Sequence, residues 1–417
     1  MDKEPAIFVG VDWASTEHQV CMIGPDGPVQ RAFAHDAGGL GAMVDWLCAQ
    51  TADPQDVAAA IEVPHGPVVE ALMDRGVAVY AINPKQLDRF RDRFSPAGAK
   101  DDRRDALVLA SSLRTDRHCF RQLEALDPIV VELREHTRMA DELKEERNRL
   151  TNRIRQQLWR YFPQMLELGE DPGADWFLDI WALAPAPAKA AKLTEKKVAR
   201  VLSGYRIRRI NGADVLAILR RPALTVAPGT VEAAVAHIAA VAERVRLVNR
   251  QIKETTRRLD ALVDTLAVEP EAEPGQLAEQ RDATILRSLP GVGRIVLATL
   301  LAEAHQAVQA RDYHALRTLT GVAPVTKRSG KSCRVEMRKA CSQRLRTAVY
   351  HWARVATQHD AKSRARYTAL RSRGCSHGRA LRSVADRLLA VACAMLESKT
   401  TYDPFKPSQM MSRLNTA

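Results

Sequence analysis

No two of this chain's cysteines stand at the C-x-x-C spacing. There are seven, an odd number, and the nearest pair is Cys333 and Cys341. That excludes a dense disulfide framework and a cysteine-based zinc site, and it fits a reducing compartment. Long apolar runs are missing too, so no membrane span and no membrane partner is expected. The opening Met1-Asp2-Lys3-Glu4-Pro5 has no secretory pattern and runs straight into a strand-like segment, so no signal peptide is expected, and the expected location is the cytoplasm of a prokaryote, in association with the nucleoid. Acid is in short supply: 50 Asp and Glu stand against 62 Lys and Arg, for a net charge of +12. A balance this basic favours an acidic partner, nucleic acid first.

The chain has 417 residues, 46% of them hydrophobic. That is too long for one ordinary core and predicts two or three domains. Residues 6–11 form a continuous apolar run, read as a buried strand that ends in Asp12. Strands over 18–23 and 29–33 flank the turn Gly24-Pro25-Asp26-Gly27. A helix is expected over 39–50, a buried strand over 57–61 ending in Glu62, a short helix to Gly76, a strand over 77–82, and a helix from Pro84. Lys100-Asp101-Asp102 then leads into a last helix over 105–113. The order β-β-β-α-β-α-β-α-α is that of an RNase H-like or RuvC-like fold. In that fold the first strand runs beside the fourth, which puts Asp12 next to Glu62.

Asp102 and Asp105 are three apart, a spacing that sets both on one helix face. Singly, each of these acids reads as a turn, strand-end or helix-start residue. Jointly, in this element order, Asp12, Glu62, Asp102 and Asp105 are candidates for a site that holds Mg²⁺, with Mn²⁺ as a substitute. Two such ions can activate an oxygen nucleophile and stabilise the leaving oxygen of a phosphodiester.

The middle of the chain reads as two long helices, over 129–158 and 231–266, with apolar residues near a 3.5-residue period. About seventy residues join them, so an antiparallel coiled-coil arm with a folded insertion is expected. The insertion carries Trp176 and Trp181 and a basic run with Lys189, Lys192, Lys196, Lys197 and Arg200. Dimerisation and nucleic-acid binding are both open for it. An acidic, proline-broken linker over 269–275 follows.

In the last third, Leu289-Pro290-Gly291-Val292-Gly293 precedes a helix over 295–304. A Pro-Gly-x-Gly turn between helices is the helix-hairpin-helix signature, and Gly291 and Gly293 would let backbone N–H groups approach a phosphate. Further on, Ser329-Gly330 lies among Lys327, Arg328, Lys331 and Arg334. These cations suit a phosphate-contact loop, and a serine hydroxyl so placed can attack phosphorus if a metal or base activates it. Helices around 351–353 and 380–396 and an arginine-rich surface complete the region; the tail beyond Thr400 is expected to be disordered.

Two sets of residues resemble one family. Val9-Gly10-Val11-Asp12 with His18, Ile61-Glu62 with Gly66, Asn83-Pro84, and Lys100-Asp101-Asp102 with Asp105-Ala106 look like the DEDD transposases of the insertion-sequence family called IS-one-ten. Gly321-Val322-Ala323-Pro324 followed by Ser329-Gly330 looks like the C-terminal transposase domain of that family. The resemblance implies an α/β plus α protein: a RuvC-like catalytic domain (1–125), a coiled-coil arm with basic insertion (126–275), and a helical transposase domain with helix-hairpin-helix (276–417). It implies that Asp12, Glu62, Asp102 and Asp105 hold the metal and that Ser329 is the nucleophile. Asp101 competes with Asp102, and Ser332 with Ser329. It further implies donor and target DNA as substrates, a bridge RNA as guide, a covalent phosphoserine, and a dimer or tetramer in which the acids of one subunit meet the serine of another. The rival readings are a RuvC-like nuclease that uses water, a non-catalytic scaffold, and an ATP-using enzyme of the actin and sugar-kinase type. The last needs a second β-meander, which the chain lacks.

Overall fold

The computed structural model describes residues 4–94, 101–267, 278–330 and 332–403. Lys100, Lys331, the 269–275 linker with the 275/276 boundary, and the tail from 404 lie outside the described residues. The chain divides into two compact units, Met1–Leu126 and Asp127–Ala417.

The first unit holds a six-stranded sheet in the order β3-β2-β1-β4-β5-β6, with β1 Ile7–Asp12, β2 Glu17–Gly24, β3 Gly27–Ala34, β4 Val57–Ile61, β5 Ala78–Ala81 and β6 Arg121–Gln122. The first three strands form an antiparallel meander, β1, β4 and β5 are parallel, and the short β6 closes the edge antiparallel to β5. Helices α1 Ala37–Cys48, α2 Pro67–Asp74, α3 Pro84–Arg91 and α4 Asp102–Asp116 connect and cover the strands. β1 and β4 are apolar without alternation because both of their faces are covered. Val9, Val11, Ala59 and Ile61 face Met43, Leu47 and Leu72 of α1 and α2. Ala58 and Ala60 face Leu87 of α3 and Val108 and Leu109 of α4.

The fit of α4 depends on Gly10. A Cβ there would lie 2.0 Å from the carbonyl oxygen of Ala106 and 2.6 Å from the amide nitrogen of Ala110. The backbone of α4 therefore rests directly on β1, and no side chain separates them. Leu109 and Ala110 are fully buried by this contact. The helix begins at Asp102, one turn earlier than the sequence pattern indicates, because the acids themselves occupy its first turn.

The second unit is almost entirely helical. α5 Pro128–Tyr161 and α10 Thr230–Ala267 pair along their length. Arg258 Nε donates to Glu132 Oε1 at 2.6 Å near one end, and Arg147 Nε donates to Asn249 Oδ1 at 2.7 Å further along. As one helix rises the other descends, so the pair is antiparallel. Between them lie α6 Asp175–Leu183, α7 Pro187–Ala190, α8 Glu195–Gly204 and α9 Gly212–Leu219. These pack Phe177, Leu178 and Trp181 against Ile154 and Leu158 of α5 and Val241 and Val245 of α10. At the opposite end, Leu133 of α5 and Leu259, Leu262 and Leu266 of α10 enter the core of the C-terminal helices. Those are α11 Ala278–Arg287, α12 Arg294–Glu303, α13 His305–Gln309, α14 Tyr313–Leu319, α15 Gln343–His359, α16 Ala361–Ser372 and α17 His377–Ser398. A two-stranded hairpin, β7 Val325–Ser329 and β8 Ser332–Glu336, projects between α14 and α15. Among the described residues no helix is long and apolar enough to cross a membrane, and the seven cysteines are free thiols.

Candidate active site

Asp12 ends β1 and Glu62 follows β4. Val11 is registered against Ile61 in the parallel ladder, so the two acids occupy the next rung at the carboxyl ends of adjacent strands, both half-buried. This is the crevice side of a parallel sheet, where the strand ends leave polar side chains uncovered.

Asp105 comes to the same half of the unit on the first turn of α4 and is only 1% exposed. Its carboxylate is gripped in a two-pronged contact: Arg91 Nε donates to Oδ1 at 2.7 Å and Nη2 donates to Oδ2 at 2.8 Å. Arg91 closes α3 and also pairs with Asp88 on its own helix. The hydrogen bonds to Asp105 raise the proton affinity of Arg91 against the cost of its burial, and the negative charges of Asp105, Asp88 and Glu62 add to the effect. One guanidinium is thus held between two carboxylates, with the charge of Glu62 acting on it as well.

Asp102, by contrast, is exposed to solvent at the start of α4, and so is Asp101. Asp101 caps the helix through its backbone alone: its carbonyl accepts from the amide of Asp105 at 2.9 Å, and its side chain makes no cap hydrogen bond. The i, i+3 spacing does not give Asp102 and Asp105 a shared environment, because the helix end turns one into the fold and leaves the other in water. Among the described residues, no three Asp, Glu, His or Cys side chains stand close enough to hold one metal ion. The donor set itself is all carboxylate oxygen, which suits a hard cation such as Mg²⁺ or Mn²⁺. Both oxygens of Asp105 are engaged by Arg91, so a cation there has to share that carboxylate with the guanidinium or displace it.

Arg91 is the residue that sequence reasoning missed. Its signal was a cation in the last turn of a helix, which reads as a favourable helix end. Nothing in the sequence linked it to an acid fourteen positions on. His18 is fully buried beside this region and is occupied structurally. Its Nδ1 accepts from the Ala14 amide at 3.3 Å and its Nε2 lies 2.9 Å from His35 Nδ1. Burial lowers its proton affinity, and the neighbouring His35 lowers it further.

In the second unit, the hairpin sets the geometry of the serine. Ser329 is registered directly opposite Ser332, and Lys327 opposite Arg334. Directly opposed residues share a face of an antiparallel pair, and alternate residues do too. Ser329, Ser332, Lys327 and Arg334 therefore lie on one face, all exposed. Arg328 is opposite Cys333 and belongs to the other face, so the cations flanking the serine are split between two surfaces. Lys327 Nζ is 2.8 Å from Glu336 Oε2, an exposed pair.

The two glycines of the α11–α12 turn have different surroundings. Gly291 has φ +82°, and a Cβ on it would lie 2.7 Å from the amide nitrogen of Ala356 and 3.0 Å from the carbonyl oxygen of Trp352. Its close approach is thus to α15, and Trp352 Nε1 donates to Pro290 O at 2.9 Å across the same contact. Gly293 caps α12, and a Cβ on it would meet nothing within 4 Å.

A mixed α/β sheet with acids at adjacent strand ends and on a covering helix, followed by a helical C-terminal region, is consistent with a DEDD nuclease-like domain joined to a second functional unit. Comparison with known proteins narrows the class. Residues 9–163 match a DEDD family model described as "Transposase", and residues 283–368 match the one described as "Transposase IS116/IS110/IS902 family". The chain is 31% identical to the "Mini-circle putative transposase for IS117" of Streptomyces coelicolor over 95% of each protein. It is 55% identical to "Putative transposase y4uE" of Sinorhizobium fredii over 51% of this chain and 60% of that protein. The chain belongs to the IS110 family of insertion-sequence transposases.

Proposed function

We propose that this transposase cleaves and rejoins donor and target DNA by attack of Ser329 on the phosphodiester, with a bridge RNA as guide. The observation that carries the reading is the hairpin register, which puts the Ser329 hydroxyl on one face with Lys327 and Arg334. Cations so placed neutralise a phosphate and the charge that builds on it during displacement. The Ser329 oxygen forms a bond to phosphorus as the bond to a sugar oxygen breaks, and the serine proton ends on the departing sugar hydroxyl. A second sugar hydroxyl then attacks the phosphoserine, restores the diester and returns a proton to the serine. Conserving the bond energy in the phosphoserine lets rejoining proceed without a nucleotide cofactor.

Asp12, Glu62, Asp102 and Asp105 are the residues to hold Mg²⁺ or Mn²⁺, which when bound supplies Lewis-acid activation of the nucleophile and of the departing oxygen. Arg91 fills the role of a resident cation at Asp105 through its two-pronged contact with that buried carboxylate. The acids and the serine belong to different units of the chain, so a composite site fits a dimer or tetramer in which one subunit supplies each half. The α5–α10 pair serves as a coiled-coil arm for that assembly. The exposed Lys189, Lys192, Lys196, Lys197 and Arg200 of its insertion suit an RNA backbone. The α11–α12 turn acts as a helix-hairpin-helix through the backbone at Gly293, where a Cβ would meet nothing, with Gly291 used for packing.

A trapping experiment tests the chemistry. A protein–DNA adduct that survives denaturation, is lost in Ser329→Ala and persists in Ser332→Ala supports the serine. Nicked product without any adduct supports water as nucleophile and overturns it. Asp102→Asn is expected to keep DNA and RNA binding and lose cleavage; retained cleavage removes Asp102 from the ligand set. Sequencing of RNA that copurifies with the protein tests the guide, and RNA without segments matching both DNA partners rules it out.

A further inference from the structure

At the foot of the Ser329 hairpin lies a cavity of about 270 Å³. Val322, Val349, Leu381 and Ala385 form apolar walls, and Arg346 and Arg382 complete them. Both arginines are half-buried. Neither has a carboxylate within ion-pairing distance among the described residues. Arg346 donates to the Lys339 carbonyl and to Gln343 Oε1, each at 3.3 Å, and also to the Arg338 carbonyl. Arg382 Nη1 donates to the sulfur of Met337 at 3.3 Å. Arg382 gives up its proton more readily than an ordinary arginine, because of burial first and then because of Arg346 and Arg379. Partly buried cations that repel one another and lack a counter-charge are costly unless an anion arrives.

The chemistry of the walls selects the occupant. A free phosphate has no use for four apolar side chains. An apolar side chain has no use for two unpaired arginines. A nucleotide satisfies both, with a flat base against the apolar walls and a phosphate at each end of its sugar. Tyr350, exposed at the edge of the cavity, offers a ring on which a base can stack.

We propose that this cavity receives one unstacked base of a nucleic-acid strand, with Arg346 and Arg382 holding the phosphates that flank it. The inference rests on the reading of DNA as substrate and adds to it a site for a single nucleotide. Met337 directly follows β8, so the cavity opens five residues along the strand from Ser332 at the tip. At strand rise that is roughly 17 Å, about the span of five stacked nucleotides. The extruded base therefore lies a few nucleotides from the phosphate facing Ser329. Holding it out of the stack fixes the register of the strand without any base pair being read.

The test uses the full-length protein and two fluorescein-labelled probes, a single-stranded DNA and a blunt duplex. Thr347→Phe narrows the cavity from an exposed position, and Arg382→Gln removes a cation while keeping a long polar side chain. Each is expected to weaken single-strand binding about tenfold or more, as loss of one stacked base does, with duplex affinity unchanged. In parallel, 2-aminopurine walked along the single strand is expected to change in fluorescence at one position, and that change is lost in both variants. Wild-type affinities in both variants overturn the proposal. Equal loss on both probes also overturns it, because the arginines then act only through general charge. A shift in sedimentation mass with DNA affinities unchanged assigns the cavity to a side chain of a second copy. A wild-type protein that binds neither DNA sinks the substrate reading itself.

Discussion

Arg91 Nε and Nη2 close a two-pronged contact on the carboxylate of Asp105, at 2.7 and 2.8 Å, inside the first unit. The acid is almost wholly buried and the base about one-fifth exposed. Removing the base strands a charge in a poorly solvated place. Arg91→Ala is expected to cost about 3–5 kcal/mol of stability in chelator, as breaking a buried pair does. If Asp105 is a metal ligand, added Mg²⁺ or Mn²⁺ restores most of the melting temperature of the variant and little of that of the wild type. Equal metal responses in the two proteins would remove Asp105 from the ligand set.

Gly10 is the seat of α4. Gly10→Ala forces a methyl group onto the backbone of the helix, for which overpacking costs about 1–3 kcal/mol when neighbours can shift. Here the contacts are backbone atoms, so the upper end is expected. Urea denaturation reads it. A drop below half a kcal/mol would mean that α4 does not bear on β1 as described.

The hairpin faces make a prediction about charge. Lys327→Ala and Arg334→Ala are each expected to slow DNA cleavage by about ten- to a hundredfold, since both flank Ser329 on its own face. Arg328→Ala, on the opposite face, is expected to change it far less. Equal effects of all three would show that the strands do not keep this register on DNA.

His18 supplies a pH dependence. Its folded proton affinity lies below the ordinary value of 6.5. The unfolded chain therefore binds more protons between the folded value and 6.5, and stability falls as pH drops through that window, by at most about 1.4 kcal/mol per pH unit. Above 6.5 the contribution is complete. Denaturation midpoints at neutral and mildly acidic pH measure it, and His18→Gln is expected to flatten the difference. His35 stands at hydrogen-bond distance from His18, so His35→Gln provides the control for its charge.

The two glycines of the α11–α12 turn separate folding from binding. Gly291→Ala is expected to destabilise the protein, because its Cβ collides with α15. Gly293→Ala has room, leaves stability nearly unchanged, and reports on DNA affinity alone. A strong loss of stability from Gly293→Ala would contradict the open surroundings of that residue.

Much of the architecture was legible from hydrophobic periodicity. The unbroken apolar runs at 6–11 and 57–61 marked two strands buried on both faces, and these pair in parallel as their place in the chain implies. The long apolar stripes at 129–158 and 231–266 became α5 and α10 with ends shifted by one to three residues. The edge strand β6 was not legible, because two exposed residues carry no periodicity. Motif residues were legible as chemistry and not as environment. Asp102 and Asp105 look alike in sequence, and only packing against β1 buries one and exposes the other.

What the sequence determined by itself was the order of the first five strands and their helices, the basic character of the chain, and the chemical identities of the acids, the serine and the cations around it; the segment around Ser329, expected as a loop, is instead the β7–β8 hairpin. Local pattern is sufficient for these because backbone periodicity and side-chain chemistry are properties of short segments. Tertiary structure alone decided that Arg91 occupies Asp105, that Arg328 is turned away from Ser329, that Gly291 is consumed by packing against α15, and that Arg346 and Arg382 face one cavity with no carboxylate paired to them among the described residues. Each of these joins residues distant in sequence or depends on which face a strand presents, and both are settled only when the chain closes on itself.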